Sequence, residues 1–471
     1  MLGWLLGLLW LLCLKAWLAS HLLVDADTLV VADLWQALSK GGSLGDWIMC
    51  PHPYVFPDLL LYGVAALLAK GVAARQAAFG LVEGFFLWWT LARLMKRLLD
   101  LDGSTARAFA GAGLLLLLLF LDPGSGLGQI FSPGYHGGAL LCAMAWLAWA
   151  LGQDRRPSSW PGTVWAALGL GLAWASDQLV PAWVLAPGLL LSAALTGRAR
   201  RKIWAAAGLA CVFRELTLWF WHGEGMRIAT YRLSFFWDHA FGLLGSLASE
   251  LAPAAQLSLG PLLLALLALG LLWGLAREVP AAGWLAAAAC LLLASWLALG
   301  ALEGHASGRY GAGFVWLSAP WVPLLLSRRF GGGPQPLLAC GLLGVLWLGW
   351  LSPPPQDPPE MAQARWLDAQ AQALGMDHGM ADYAHARPLR LLGDRDLGLV
   401  PVITDKLGLA PYAWSVDRKA FDVPVRPQFV VINGLDPRAI LARLGPPSGK
   451  AGGPGIELWL YPRPGPAVPG I

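Results

Sequence analysis

Apolar runs long enough to cross a bilayer recur through most of this chain, and that recurrence fixes its class before any motif is considered. The first, Leu2–Leu23, holds about 22 residues, which at ~1.5 Å per residue spans a hydrocarbon core of ~30 Å. It has no basic start and no small-residue cleavage site, so it reads as a retained helix rather than a removed leader. Lys15 within it is expected to snorkel toward an interface. With 57% hydrophobic and 13% charged residues, a chain of 471 residues cannot hide its apolar surface in a soluble fold. It reads as a polytopic membrane protein. The net charge of +4 is no sign of nucleic-acid binding, because membrane proteins collect Lys and Arg in cytoplasmic loops for topological reasons. Of the six cysteines only Cys50 lies in a polar loop, so neither a disulfide framework nor a cysteine metal motif is present.

Against this hydrocarbon background, the hydrophilic loop 24–57 stands out. It carries Asp25, Asp27, Asp33, Asp46 and His52, and Asp58 follows at once. Asp27 or Thr28 can cap a short helix over Leu29–Lys40, with Val30, Val31, Leu34, Trp35 and Leu38 on one face and Gly41-Gly42 as its stop. Such a helix is expected to lie flat on the membrane surface. The next apolar segment, Leu59–Ala69, is about 11 residues, or ~17 Å at helical rise, too short to cross. Pro57 and Asp58 suit the first turn of a helix, so residues 58–70 read as a juxtamembrane helix.

Further spans are expected near 76–95, 107–121, 138–151, 163–180, 181–195, 203–221, 255–275, 282–300, 312–326 and 335–351, about eleven with the first. The N-terminus is then cytoplasmic. The Arg and Lys clusters at 93–97, 198–202 and 328–329 fall on that side, as the positive-inside rule requires. The outward connections gather the polar chemistry: the 24–57 loop; 122–137 with Tyr135 and His136; 221–253 with His222, Glu224, Arg227, Arg232, Asp238 and His239; and 302–313 with Glu303, His305, Arg309 and Tyr310. Asp177 lies at an outer helix-to-helix junction. Glu83 and the Arg214–Glu215 pair lie within apolar runs, where pairing between helices is expected; as adjacent helix positions, Arg214 and Glu215 should not pair with each other.

The organisation expected is therefore an all-α membrane domain over 1–351, a Pro-rich linker over 352–358, and a small external α/β domain over 359–471. Within the last, helices fit Pro359–Leu374 and Pro437–Leu444, and strands fit Leu399–Thr404, Gln428–Asn433 and Ile456–Tyr461. Asp382-Tyr383 and Trp414 are candidate contacts there.

A paired carboxylate such as Asp25-Ala26-Asp27 can act as general base on an acceptor hydroxyl or hold a divalent cation. The blander reading makes Asp27 a helix cap and leaves Asp25 solvated. For an anionic leaving group, Arg227, Arg232, His305 and Arg309 have the right chemistry. No Gly-rich nucleotide loop is present.

In architecture over residues 1–351, the chain resembles the GT-C class of membrane glycosyltransferases. Its Asp25-Ala26-Asp27 and Pro51-His52-Pro53-Tyr54 are similar to motifs of the protein O-mannosyltransferase and aminoarabinose transferase (family 39-like) branch, including uncharacterised bacterial homologues. The resemblance implies transfer of a sugar from a polyprenyl-phosphate carrier to a glycan, lipid or protein acceptor on the outer face of the bacterial cytoplasmic membrane. Asp25 or Asp27 would be the catalytic group, and His52, Tyr54, Asp58, His136, Asp177, Arg227, Arg232, His305 and Arg309 would contact substrate. No cofactor is implied outright; a divalent cation would fall at Asp25/Asp27. The second outer loop departs from the family by offering only Tyr135 and His136. Two other classes compete: an envelope-lipid transporter or flippase, which would show midplane charges and repeated halves, and a catalytically inactive scaffold of the same architecture.

Overall fold

The computed structural model describes residues 1–21, 24–119, 121, 128–153, 159–185, 195–228, 259–276, 314–329, 333–350, 357–405, 408–422 and 427–461, with short pieces within 188–193 and 282–293. Leucine- and alanine-rich runs form helices, and among the described residues three are long and apolar enough to cross a membrane. These are α1 (Leu2–His21), α4 (Val72–Leu99) and the helix Gly197–Gly223. Helix α1 packs on α5 (Gly103–Leu118), and α4 on both α5 and α6 (Gly137–Gly152). The approach of α1 to α5 is close because small residues line it: a Cβ on Gly111 would fall 2.9 Å from the Leu6 backbone. Trp10 donates its indole N–H to the Gly84 carbonyl at 3.1 Å, which joins α1 to α4. Helix α7 (Trp160–Ser176) packs along Gly197–Gly223, and Gln335–Trp350 packs on α5 and α1.

Within the described residues, the expected spans at 76–95, 107–121, 138–151, 163–180, 203–221, 255–275 and 335–351 each overlap a helix, and 312–326 overlaps the helix Val322–Arg329. Most of 282–300 lies outside the described residues, and 181–195 shows only the helical turn Pro181–Leu185. Arg214 and Glu215 do form an ion pair, contrary to the expectation from helix geometry, and the Arg214 guanidinium also lies over the Trp174 ring at 5.2 Å. Two long, flexible side chains can curl together at the helix surface even when their Cβ atoms diverge. Glu83 has no hydrogen-bond partner for either carboxylate oxygen among the described residues, so its expected pairing is not found.

Helix α2 (Val30–Ser39) sits where periodicity put it, and α3 (Leu60–Leu68) has the short length expected of a non-spanning helix. Leu60, Leu67 and Leu68 of α3 are exposed, as suits contact with lipid. Helix α2 does not lie free on a membrane surface. Its apolar side, with Val31 and Ala32, packs with Tyr62 and Ala65 of α3 and Phe79 of α4, while Asp33, 3% exposed, pairs with Arg387 and Arg390 of the C-terminal part. Apolar spacing shows which face is buried; only the partner shows that the opposite face is covered too.

The C-terminal part is built on a six-stranded sheet of order β5-β4-β3-β7-β9-β8. Its centre, β4 (Gly398–Asp405), β3 (His378–Asp382) and β7 (Phe429–Val431), is parallel, and β5 (Gly408–Pro411), β9 (Glu457–Leu460) and β8 (Gly449–Gly452) join antiparallel. Helices Pro359–Leu374 and Pro437–Leu444 have the expected bounds. A second, three-stranded sheet ties the chain's distant parts together. In it β1 (Trp47–Met49) of the first loop pairs in parallel with β2 (Arg227–Ile228) and antiparallel with β6 (Val416–Asp417) of the C-terminal part.

Candidate active site

The first loop, the 128–137 segment and the C-terminal part converge on one cavity of about 230 Å³. Asp27, His52, Tyr54 and His136 line it from the membrane-helix side, and Tyr383, Tyr412 and Trp414 from the other.

The two carboxylates of Asp25-Ala26-Asp27 have separate jobs, and they reverse the simple capping picture. Asp25 Oδ1 accepts the backbone N–H groups of Asp27 at 3.0 Å and Thr28 at 2.8 Å, and its Oδ2 accepts the Tyr135 hydroxyl at 3.0 Å. Asp25 thus folds the entry to α2, whose own N-cap, Leu29, has no side-chain cap. Asp27, half-buried, faces the cavity and accepts the Tyr383 hydroxyl on Oδ1 at 2.7 Å. Burial, with the neighbouring carboxylate, raises the Tyr383 phenol, so it acts toward Asp27 as a donor.

Arg387 holds the seam behind this contact. It is 5% exposed and donates to Asp33 Oδ2 at 3.1 Å, to the carbonyls of Ala26 and Ser415, and to the Tyr383 hydroxyl at 3.3 Å. One guanidinium thereby fixes the backbone beside Asp27, the Tyr383 phenol and the strand leading to β6. Nearby, Cys50 N–H donates to Ser415 Oγ at 3.2 Å and Lys419 pairs with Asp46 at 2.6 Å. The Tyr383, Tyr412 and Trp414 rings form a continuous wall, with centroids 5.1 and 6.4 Å apart.

Beneath the opposite wall, Asp177 Oδ1 lies 3.0 Å from His52 Nδ1 and its Oδ2 lies 2.6 Å from His136 Nδ1. All three side chains are buried, and their ligand-type atoms lie within 4.8 Å of one another, a grouping able to hold a metal ion. His136 and Tyr54 both have left-handed backbone, at φ +66° and +54°. Positive φ is uncommon for side chains of this size, and here it directs two aromatic residues onto the cluster: the Tyr54 centroid is 6.0 Å from His52 and 5.6 Å from His136. The segment is anchored by Tyr54 N–H to Ser176 O at 3.2 Å and Phe56 N–H to Ser176 Oγ at 2.8 Å.

Asp58 does not line the cavity. It accepts the Gly134 N–H on Oδ2 at 3.1 Å, pinning the loop that carries His136, and burial pushes its carboxyl up to about 7. Arg227 lies exposed on β2 and is absent from the cavity wall. Arg232, His305 and Arg309 lie outside the described residues. Of the residues named from sequence, the fold therefore brings together Asp27, His52, Tyr54, His136 and Asp177, with Asp25 and Asp58 as supports. Sequence reasoning missed the His52–Asp177–His136 cluster, Tyr412 and Arg387. Tyr383 and Trp414 were candidates without a partner, and the one signal toward Arg387 was Asp33, the single charged residue of α2.

No protein-family model and no curated protein sequence matches this chain. Among solved structures, the crystal structure of the Archaeoglobus fulgidus oligosaccharyltransferase complex with Zn and sulfate is similar at 12% identity and a TM-score of 0.45, over 83% of this chain and 61% of that one. This chain thus spans about 61% of the length of that protein. A likeness of this degree assigns no residue and no activity here.

Proposed function

We propose that this protein is a glycosyltransferase of the bacterial cytoplasmic membrane, moving a sugar from a polyprenyl-phosphate donor to an acceptor hydroxyl on the outer face. The observation that carries the reading is Asp27: a carboxylate oriented by Tyr383 in an aromatic-walled cavity at the seam between apolar helices and an α/β domain. In this reading about eleven spans place the N-terminus in the cytoplasm and the C-terminal domain outside, away from nucleotide sugars.

In the reaction, Asp27 takes the acceptor proton as the acceptor oxygen bonds to the anomeric carbon. The bond from that carbon to the phosphate oxygen breaks with inversion, and the lipid phosphate leaves with its electron pair. The Tyr412–Trp414 wall offers flat faces for a sugar ring, and the apolar helices offer a path for the polyprenyl chain. Of the two carboxylates considered for a divalent cation, Asp25 has both oxygens accepting from protein donors, whereas Asp27 has one accepting from Tyr383. The step as written needs no cation there.

The test is transfer by purified full-length protein in liposomes, with a panel of polyprenyl-phosphate sugars and hydroxyl acceptors. Product from at least one donor is expected. Neither binding nor transfer of any of them by folded protein rejects the reading in favour of transport or an inactive scaffold.

A further inference from the structure

The His52–Asp177–His136 cluster is assembled from three separate stretches of chain, none of which carries a metal motif by itself. The hydrogen bonding within it is unbalanced. Gln178 N–H points at His52 Nδ1 from 3.2 Å and calls for a lone pair on that nitrogen. Asp177 Oδ1, 3.0 Å from the same nitrogen, calls for a proton there. A neutral imidazole nitrogen cannot meet both demands. A cation between the nitrogen and the carboxylate oxygen takes a lone pair from each, so those two acceptors no longer need a proton between them.

We propose that His52, His136 and Asp177 form a binding site for a divalent transition cation of the zinc class. The dimensions fit. A tetrahedral ion with bonds of ~2.1 Å holds its ligand atoms ~3.4 Å apart. The two Asp177 oxygens lie 3.0 Å from His52 Nδ1 and 2.6 Å from His136 Nδ1, and one ligand-type atom from each residue lies within 4.8 Å of the others, so closing on an ion needs shifts of at most about 1.4 Å. The chemistry fits as well: two imidazoles and one carboxylate suit zinc and its neighbours, whereas calcium and magnesium favour all-oxygen shells. The left-handed backbone at His136 and Tyr54 is the kind of local cost that persists where a site over-determines it.

Three protein ligands leave a fourth position, the arrangement of reactive rather than purely structural zinc. His52 and His136 line the cavity and Asp177 does not, so an ion held by the three would lie beside the space that Asp27 and the aromatic residues enclose. There the ion would present a positive charge to an anionic oxygen. The site stands whatever the cavity transfers.

The experiment is metal loading of the full-length protein in detergent, stripped with chelator and incubated with zinc chloride or cobalt chloride. After gel filtration about one zinc per chain is expected, and the cobalt form should show the visible absorption of a tetrahedral site. His136→Ala and Asp177→Asn should each lose at least ~100-fold in affinity, beyond the loss typical of an outer-shell change. Asp27→Asn should keep the ion. Wild-type protein that retains no zinc and gives no cobalt spectrum overturns the proposal and leaves a hydrogen-bonded knot, whether or not the variants fold. Equal metal uptake by His136→Ala, or loss in Asp27→Asn instead, overturns it equally.

Discussion

Asp58→Asn should remove a pH-dependent weakness from the fold. The Asp58 carboxyl is buried against the 134–138 loop, and its value near 7 stands about 3 units above the 3.8 of an exposed aspartate. Between those two values the folded protein holds a proton that the unfolded chain has released. Stability therefore falls as pH rises from about 4 to about 7 and is level above. At ~1.4 kcal/mol per unit the fall is about 4 kcal/mol, an upper figure for one group. Asparagine cannot ionise, yet its carbonyl oxygen can still accept the Gly134 N–H, so the variant keeps the pin and loses the titration. The assay is thermal or denaturant unfolding of both proteins in detergent at intervals from pH 4.5 to 8.5. The variant should gain on wild type steadily to about pH 7 and then hold its lead. Parallel curves across that range would refute the burial argument.

The seam between membrane helices and C-terminal domain should depend on one side chain. Arg387→Ala leaves Asp33 with Arg390 alone and strips donors from two carbonyls, which should cost about 3–5 kcal/mol and expose the C-terminal domain to limited proteolysis. Unchanged protease resistance would contradict the account. Tyr383→Phe removes the hydroxyl's hydrogen bond to Asp27 and the one it accepts from Arg387, so unfolding should shift by about 1–3 kcal/mol while any transfer activity falls by a larger factor. Equal loss of stability and activity would assign Tyr383 to packing alone.

How much of this was legible beforehand differs from element to element. Helices led by Pro359 and Pro437 were found to the residue, because Pro starts them and Gly375 and Gly445 stop them. Strands β4, β7 and β9 followed from their apolar runs. Strand β3 escaped because His378-Gly-Met-Ala-Asp382 carries no β-branched residue; its pairing on both sides, not its propensity, makes it a strand. The helix Tyr383–Leu392 escaped because Pro388 lies inside it, past the first turn, where proline ordinarily breaks the helical pattern. For the site, sequence identified the acidic loop but not the division of labour within it. Two carboxylates one residue apart look alike in sequence. They differ because Tyr135 is folded against Asp25, and Tyr383, 356 residues along the chain, against Asp27. The His52–Asp177–His136 cluster was invisible for the same reason, since only the fold brings those three stretches together.

The central claim is that Asp27, and not Asp25, takes the acceptor's proton. The most direct measurement sets Asp27→Asn beside Asp25→Asn, reading donor binding, transfer and stability in each. The account predicts that Asp27→Asn binds the polyprenyl-phosphate sugar as wild type does but transfers at least ~100-fold more slowly. Asp25→Asn should keep transfer while losing about 1 kcal/mol of stability with its Tyr135 contact. Transfer retained by Asp27→Asn, or lost by Asp25→Asn in protein that remains folded, would contradict it.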